Sequence, residues 1–360
     1  ENLLCSRRRA AQGSAHNTSF VIQKLMDLIQ LKTILADKPK YRFKQSKEAV
    51  FKNLAEDWLE VINFPPSLRL ELNEKCSLRI NGRIDESAKD SGVMKAIIIL
   101  RDGLKIESVL MAHERGRFTV CVSSQVGCPM KCKFCATGAS GFSRNLMTEE
   151  IVEQVLFFAR YLKKNGGLRI TNVVYMGMGE PFLNYDNVLA SIRILNDKDG
   201  LNIGARKISI STCGIVDGIE KLAKENLQIN LAISLHSPDT DLRSALMPIN
   251  IKYSLADVLR AVDIYIQKTS RQVMFEYILL KGVNDTLEHA QKLAKLMRRP
   301  LYFVNLIIYN PIGREGMSPS IAKDVKKFKE ILEKAGVPVS QRYSFGREIK
   351  AACGQLAKTI

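Results

Sequence analysis

Acidic residues are in short supply in this 360-residue chain: 37 Asp and Glu stand against 54 Lys and Arg, a formal charge of +17. Such a surplus suits a polyanion partner, nucleic acid before membrane. Long apolar runs are missing as well. The best, Ala96 to Leu100 and Val155 to Ala159, fall far short of the ~18 residues of a membrane span. No stretch combines a charged start, an apolar core and a small-residue cleavage site, so no secretory leader is expected. There is no repeat of 20–50 residues and no low-complexity tract, which argues against solenoids and linkers. With 46% hydrophobic and 25% charged residues, wholesale disorder is also excluded. Eight cysteines are too few for a disulfide scaffold at this length. Three of them crowd into eight residues, which points to metal binding in a reducing compartment. These traits predict a cytoplasmic, basic, metal-binding enzyme with no membrane partner, a monomer.

The chain divides by pattern. Residues 1–19 begin without Met, carry Arg7, Arg8 and Arg9 and have Glu1 as their only acid, so they are expected to be a disordered or non-native lead. Val21, Leu25, Leu28, Ile29 and Lys32 recur at helical spacing, and Val50, Leu54, Trp58 and Leu59 form a second pattern ending at Pro65–Pro66. Residues 20–90 thus predict a small helical domain. Between them, Lys38, Lys40, Arg42, Lys44 and Lys47 interleave with Tyr41 and Phe43. This suits phosphate neutralisation and base stacking, although a solvated charge run reads the same way. Residues 91–117 predict a β-hairpin extension turning at Arg101-Asp102-Gly103. From 118 to 345 strand and helix patterns alternate. Strands are expected at 118–123, 170–176, 207–211, 229–235, 273–279, 302–308 and 337–343, and helices start near Thr148, Asn187, Ile215, Ser254, Leu287 and Ser320. Repeated βα units imply a parallel sheet with right-handed crossovers, hence an α/β fold built as a full or partial barrel. Residues 346–360 form a tail.

The sharpest motif is Cys128-Pro-Met-Lys-Cys132-Lys-Phe-Cys135, a C-x3-C-x2-C triplet directly after the first barrel strand. A closed zinc site wants four protein ligands, and an iron–sulfur cluster normally takes four as well. Three thiolates on one loop leave one iron open to a small molecule. The alternative is a zinc loop completed by a distant His or Cys.

The triplet, with Phe134 before its last Cys, resembles the radical S-adenosylmethionine (SAM) superfamily. Further motifs narrow the likeness: Cys121-Val-Ser-Ser-Gln-Val-Gly-Cys128, Phe134-Cys135-Ala-Thr-Gly138, Met176-Gly-Met-Gly-Glu180-Pro181, Ser234-Leu-His236, Tyr309-Asn310-Pro311 and Ala352-Cys353-Gly-Gln-Leu356. Over residues 40–357 the chain resembles the ribosomal RNA large subunit methyltransferase N family, close to the chloramphenicol–florfenicol resistance methyltransferase. The likeness implies a partial (βα)6 radical SAM barrel and a [4Fe-4S] cluster on Cys128, Cys132 and Cys135, with SAM on the fourth iron. Reductive cleavage of SAM would give a 5′-deoxyadenosyl radical, which suits an adenine ring carbon too poor a nucleophile for polar methylation. It implies SAM contacts at Gly179, Glu180, Ser211, Ser234, Leu235, His236 and Asn310, each near a strand's C-terminal end as a barrel requires.

Three catalytic residues follow from the same resemblance. Cys353, which alone would read as a small buried hydrophobe, matches the Cys that is methylated by one SAM and then carries the methylene radical. Cys121, on one strand face with Thr119 and Ser123, matches the Cys that resolves the enzyme–RNA adduct by a disulfide with Cys353. Glu107 matches the proton acceptor, although the stretch from His113 to Arg117 is one residue longer than the family spacing. The implied reaction is methylation of carbon 2 of an adenine in 23S rRNA and tRNA, with electrons from a flavodoxin or ferredoxin. Methylation at carbon 8, giving antibiotic resistance, keeps the mechanism. A radical SAM enzyme on a peptide or metabolite would need neither Cys353 nor Cys121, and a zinc-dependent RNA-binding protein would hold no iron.

Overall fold

In the computed structural model, residues 28–84, 92–342 and 346–357 are described. The expected lead at 1–19 lies outside them, as do the first helical positions Val21 and Leu25.

Three short helices open the described chain: α1 (Leu28–Ile34), α2 (Tyr41–Lys47) and α3 (Pro66–Lys75). The basic stretch is therefore partly helical. The second expected helix does not run to Leu59. A π-helical turn at Glu48–Lys52 ends it, and Leu54 takes a left-handed φ of 53°. The chain then re-enters as a single 3-10 turn at Trp58–Glu60, capped by the Asp57 carboxylate. Pro65–Pro66 starts a helix instead of stopping one: Pro66 is its first residue, where a missing N–H costs nothing. Trp58 is fully buried, stacks on Phe64 and donates to the Cys76 carbonyl.

The ten-stranded main sheet begins with an antiparallel extension, β1 (Gly82–Ile84), β2 (Val93–Ile99) and β3 (Lys105–His113). β3 pairs with β4 (Arg117–Cys121), the first of the parallel strands. The connection carrying the extra residue closes as one 3-10 turn at Glu114–Gly116, and the register from His113–Arg117 to Val109–Cys121 is unbroken. A separate hairpin follows, β5 (Gln125–Gly127) with β6 (Phe142–Asn145), and between its strands lies the Cys loop with the one-turn helix α4 (Ala136–Ala139).

The chain then alternates through α5 (Thr148–Lys164), β7 (Asn172–Tyr175), α6 (Tyr185–Asn196), β8 (Ile208–Thr212) and α7 (Val216–Leu222). It continues through β9 (Asn230–Ser234), α8 (Thr240–Leu246), α9 (Leu255–Thr269), β10 (Val273–Leu279) and α10 (Leu287–Met297). It closes with β11 (Tyr302–Ile308), α11 (Ala322–Lys334) and β12 (Val339–Arg342). All neighbours from β4 to β12 in the order β4-β7-β8-β9-β10-β11-β12 are parallel. Six βα units plus a closing strand make the expected α/β radical SAM architecture, and the sheet is open between β1 and β12.

Parallel strands are covered on both faces, so they are near-continuously apolar; β10 buries six of its seven residues. Helix α5 lies between the sheet and the N-terminal helices. From it Arg160 reaches the carbonyls of Leu78 and Ala55, and Lys163 that of Asn53. Lys47 pairs with Asp197 beyond the end of α6. Leu31, Trp58 and Leu72 accordingly belong to the same buried cluster as the barrel strands. No helix among the described residues is long and apolar enough to cross a membrane.

Candidate active site

Gly127 sets the geometry of the Cys loop. Its φ of 79° is a left-handed conformation, and a Cβ there would overlap the Gly141 carbonyl. Cys128 then donates its N–H to the same carbonyl, so the hairpin presents the loop at the strand ends. Lys133 donates its N–H to Leu246 of α8, and Cys135 donates to Cys132. Gly138 packs against the Cys132 backbone, where a Cβ would come within 3.1 Å of Cys132 N.

Cys128, Cys132 and Cys135 line one cavity of about 160 Å³. Among the described residues no three His, Cys, Asp or Glu side chains converge on a single-ion position. A cluster binds each thiolate to a different iron and so wants the sulfurs spread around a space, as here; this donor set fits a [4Fe-4S] group with one open iron. Burial pushes the Cys128 thiol up to about 12 and raises Cys132 further. Loading iron must therefore displace their protons.

Five of the seven expected SAM contacts share that cavity: Gly179, Glu180, Ser211, Ser234 and His236. Glu180 is buried and raised by desolvation, while its two oxygens accept from the N–H groups of Phe182 and Cys213. His236 is fixed in one neutral form. Its Nδ1 accepts from the Ile278 N–H, its ring meets Phe134 edge to face, and burial followed by the nearby Arg243 charge lowers it to about 3. Only Nε2–H is then left to donate. The other two lie off the wall. Leu235 is fully buried with its carbonyl turned to Arg243, and Asn310, just past β11, donates to the Cys353 carbonyl of the C-terminal tail.

A second cavity of about 420 Å³ lies beside the first. Val109, Met111 and His113 of β3, Thr119 and Cys121 of β4 and Cys353 line it, so Thr119 and Cys121 share a face as expected, while Ser123, past the end of β4, lines neither cavity. Cys353 and Arg342 are on the walls of both cavities. Cys121 and Cys353 are free thiols, so the expected disulfide is not formed in this state. Burial, then the Cys353 sulfur, pushes Cys121 up to about 12.

The tail carrying Cys353 is pinned from several sides. Ala136 N–H donates to the Gly354 carbonyl, Thr137 Oγ1 to that of Leu356, and Asn310 Nδ2 to that of Cys353. Glu107 joins in at the far end. It is 4% exposed, pairs with Lys95 at 3.0 Å, and accepts the Ala357 N–H at 2.9 Å. Its carboxylate is thus placed against the tail and lines neither cavity.

Two charged residues of the site escaped the sequence reading. Arg342 ends β12, and the Cys353 sulfur, ahead of Glu276 and Cys121, raises it against the cost of burial. Glu276 sits in the middle of β10, buried and raised by desolvation, with Asn305 donating to both oxygens. A lone acid inside the apolar run Val273–Leu279 was the available signal, because a parallel core strand rarely carries one without a task.

The family model of the Radical SAM superfamily, whose members use a [4Fe-4S] cluster and SAM, matches residues 122–297. A probable dual-specificity RNA methyltransferase RlmN of Carboxydothermus hydrogenoformans is 47% identical over 88% of this chain and 91% of its own. A protein of the same name from Thermotoga maritima is 46% identical, again over 88% and 91%. A crystal structure of a radical SAM methyltransferase from Sphaerobacter thermophilus superposes with a TM-score of 0.87 at 40% identity, covering 92% of this chain and 97% of that one. The chain belongs to the dual-specificity RNA methyltransferase RlmN family of the radical SAM superfamily.

Proposed function

We propose that this enzyme methylates carbon 2 of an adenine in 23S rRNA and in tRNA, with Cys353 as the methyl carrier. Its cofactors are a [4Fe-4S] cluster and SAM. The cluster ligands in this reading are Cys128, Cys132 and Cys135. When bound, the pair supplies reductive SAM cleavage and hydrogen-atom abstraction. The observation that carries the reading is the position of Cys353 on the walls of both cavities, with the three loop thiols around one and Cys121 on the other.

The chain's own residues divide the work. Gly179, Glu180, Ser211, Ser234 and His236 hold SAM, with His236 Nε2–H and the remaining Glu180 lone pairs as polar contacts. Cys353 accepts a methyl group on sulfur and hands its carbon to the base. Cys121 stands across the second cavity, placed to attack the Cys353 sulfur of the enzyme–RNA adduct, so that the S–S bond forms as the S–CH2 bond breaks and the methylated base is released. Glu107 accepts the proton of the ring carbon after the tail that covers it releases its carboxylate. The target base has to leave its stack to reach this site, as in other base-modifying enzymes. Electrons come from a flavodoxin or ferredoxin, and the enzyme works as a cytoplasmic monomer.

The test is anaerobic reconstitution, incubation with methyl-deuterated SAM and unmodified 23S rRNA or tRNA, and nucleoside mass spectrometry. Labelled 2-methyladenosine that is lost in Cys353→Ala is the expected result. An 8-methyladenosine product overturns the carbon-2 assignment. A cluster-loaded enzyme that cleaves SAM and methylates neither RNA overturns the RNA reading.

A further inference from the structure

Arg243, in the middle of α8, is fully buried. Its guanidinium directs four hydrogen bonds to neutral acceptors. Nε donates to the Leu235 carbonyl, Nη1 to Asn250 Oδ1, and Nη2 to the carbonyls of Cys213 and Ser234. No described carboxylate pairs with it. The two acids on the cavity wall are occupied elsewhere: Glu180 accepts from the N–H groups of Phe182 and Cys213, and Glu276 from Asn305. Arginine keeps its proton even here, so the chain buries a full positive charge with hydrogen bonds and no counter-charge. Such a charge is unfavourable to bury unless something compensates it.

The guanidinium binds the carbonyls of Cys213 and Ser234, both residues of the cavity wall, and lies within electrostatic reach of Cys132. The loop itself is tied to the same helix through Lys133 N–H and the Leu246 carbonyl. On the reading that Cys128, Cys132 and Cys135 ligate the cluster, three thiolates around a [4Fe-4S]2+ core carry one net negative charge. Accepting one electron from a low-potential reductant makes that two.

We propose that Arg243 is the counter-charge of the cluster site, a positioning residue that braces the ends of β8 and β9 and raises the cluster's reduction potential. The missing partner of the buried cation is the cluster. The attraction grows when the extra electron arrives, so the charge favours the reduced state that SAM cleavage requires. Asn250, within the run Leu246-Met-Pro-Ile-Asn250, holds the guanidinium's outer nitrogen and is part of the brace.

The experiment is a redox titration of reconstituted holoenzyme with dithionite, followed by electron paramagnetic resonance, for wild type, Arg243→Gln, Arg243→Lys and Asn250→Ala at matched iron and sulfide content. Arg243→Gln is expected to lower the equilibrium constant for reduction at least tenfold, about 59 mV for a one-electron couple. Arg243→Lys and Asn250→Ala keep the charge while losing hydrogen bonds, so they should lower melting temperature yet stay within about threefold of the wild-type constant. An unchanged midpoint in loaded Arg243→Gln overturns the proposal. So does a tenfold fall in Arg243→Lys or Asn250→Ala, which would make the residue a structural brace only, and if the Gln variant fails to fold, Arg243→Met, which also removes the charge, takes its place with the same expected and overturning results. A wild-type protein that takes up no iron would instead sink the cluster assignment beneath it.

Discussion

Asn310 Nδ2 donates to the Cys353 carbonyl at 3.0 Å, while its Oδ1 accepts from Arg347 Nε at 2.8 Å. One amide therefore fixes the Cys353 backbone and is itself fixed by the tail's own arginine. Removing the donor leaves a carbonyl without its partner, worth about 1–3 kcal/mol. In Asn310→Ala, single-turnover methyl loading of Cys353, read as the mass of the tail peptide, should fall about tenfold or more. Asn310→Asp should behave alike because it too lacks the donor. SAM affinity should stay within about twofold in both; a large loss of SAM binding would return Asn310 to the cofactor contacts.

The Lys95–Glu107 pair joins β2 to β3 beneath the tail, with the two side chains 11% and 5% exposed. Taking away one member of a buried pair costs about 3–5 kcal/mol, more than the pair contributes relative to an apolar replacement. Lys95→Met should lower unfolding stability by about 3 kcal/mol in urea titration. The double variant Lys95→Met/Glu107→Gln should recover much of that loss. Equal destabilisation of single and double variants would mean that Lys95 packs through its stem alone.

The parallel strands were legible because full burial on two faces leaves so little freedom of composition: 273–279 and 302–308 match β10 and β11 residue for residue. The Cys loop and five of the seven expected SAM positions, which the fold gathers on one cavity, could be picked out because they sit in short contiguous motifs. What failed depends on long-range contact. Leu54 breaks the second helix by a left-handed turn that its side-chain pattern does not announce. The hairpin of Gln125–Gly127 with Phe142–Asn145 is held across the Cys loop, and no hydrophobic alternation marks it. The hold of Asn310, two residues past β11, on the Cys353 carbonyl is visible only once the tail is folded. Arg342 lies in a strand whose sequence, Val-Ser-Gln-Arg, is unremarkable until its neighbours across the cavity are known.

His236 makes stability depend on pH in a defined direction. Its folded value, about 3, lies below the unfolded 6.5, because burial and Arg243 disfavour the cation. Below 6.5 the unfolded chain binds a proton that the folded one refuses. The contribution is thus complete above 6.5 and is lost as pH falls toward 3. By pH 5 the loss should reach about 2 kcal/mol. His236→Asn, whose side-chain oxygen can still accept from Ile278 N–H, should lose about 2 kcal/mol less than wild type between pH 7 and 5. Denaturant midpoints at the two values measure it, and parallel slopes would show that other groups carry the acid sensitivity.

The basic segment separates into cations used by the fold and cations free for phosphate. Lys47 pairs with Asp197, Lys38 with Asp37, and Arg42 donates to Gln45 and the Asn63 carbonyl while lying over the rings of Tyr41 and Phe64. Lys40 and Lys44 are exposed and join no ion pair with a described residue. Each phosphate contact releases counterions and adds close to one unit to the slope of log K against log salt. Lys40→Ala/Lys44→Ala should therefore flatten the salt dependence of tRNA binding by about one to two units without lowering the melting temperature. Lys47→Ala should instead lower stability, because it unties α2 from the end of α6. A double variant with an unchanged slope would move the RNA footprint off this helix and onto another part of the +17 surface.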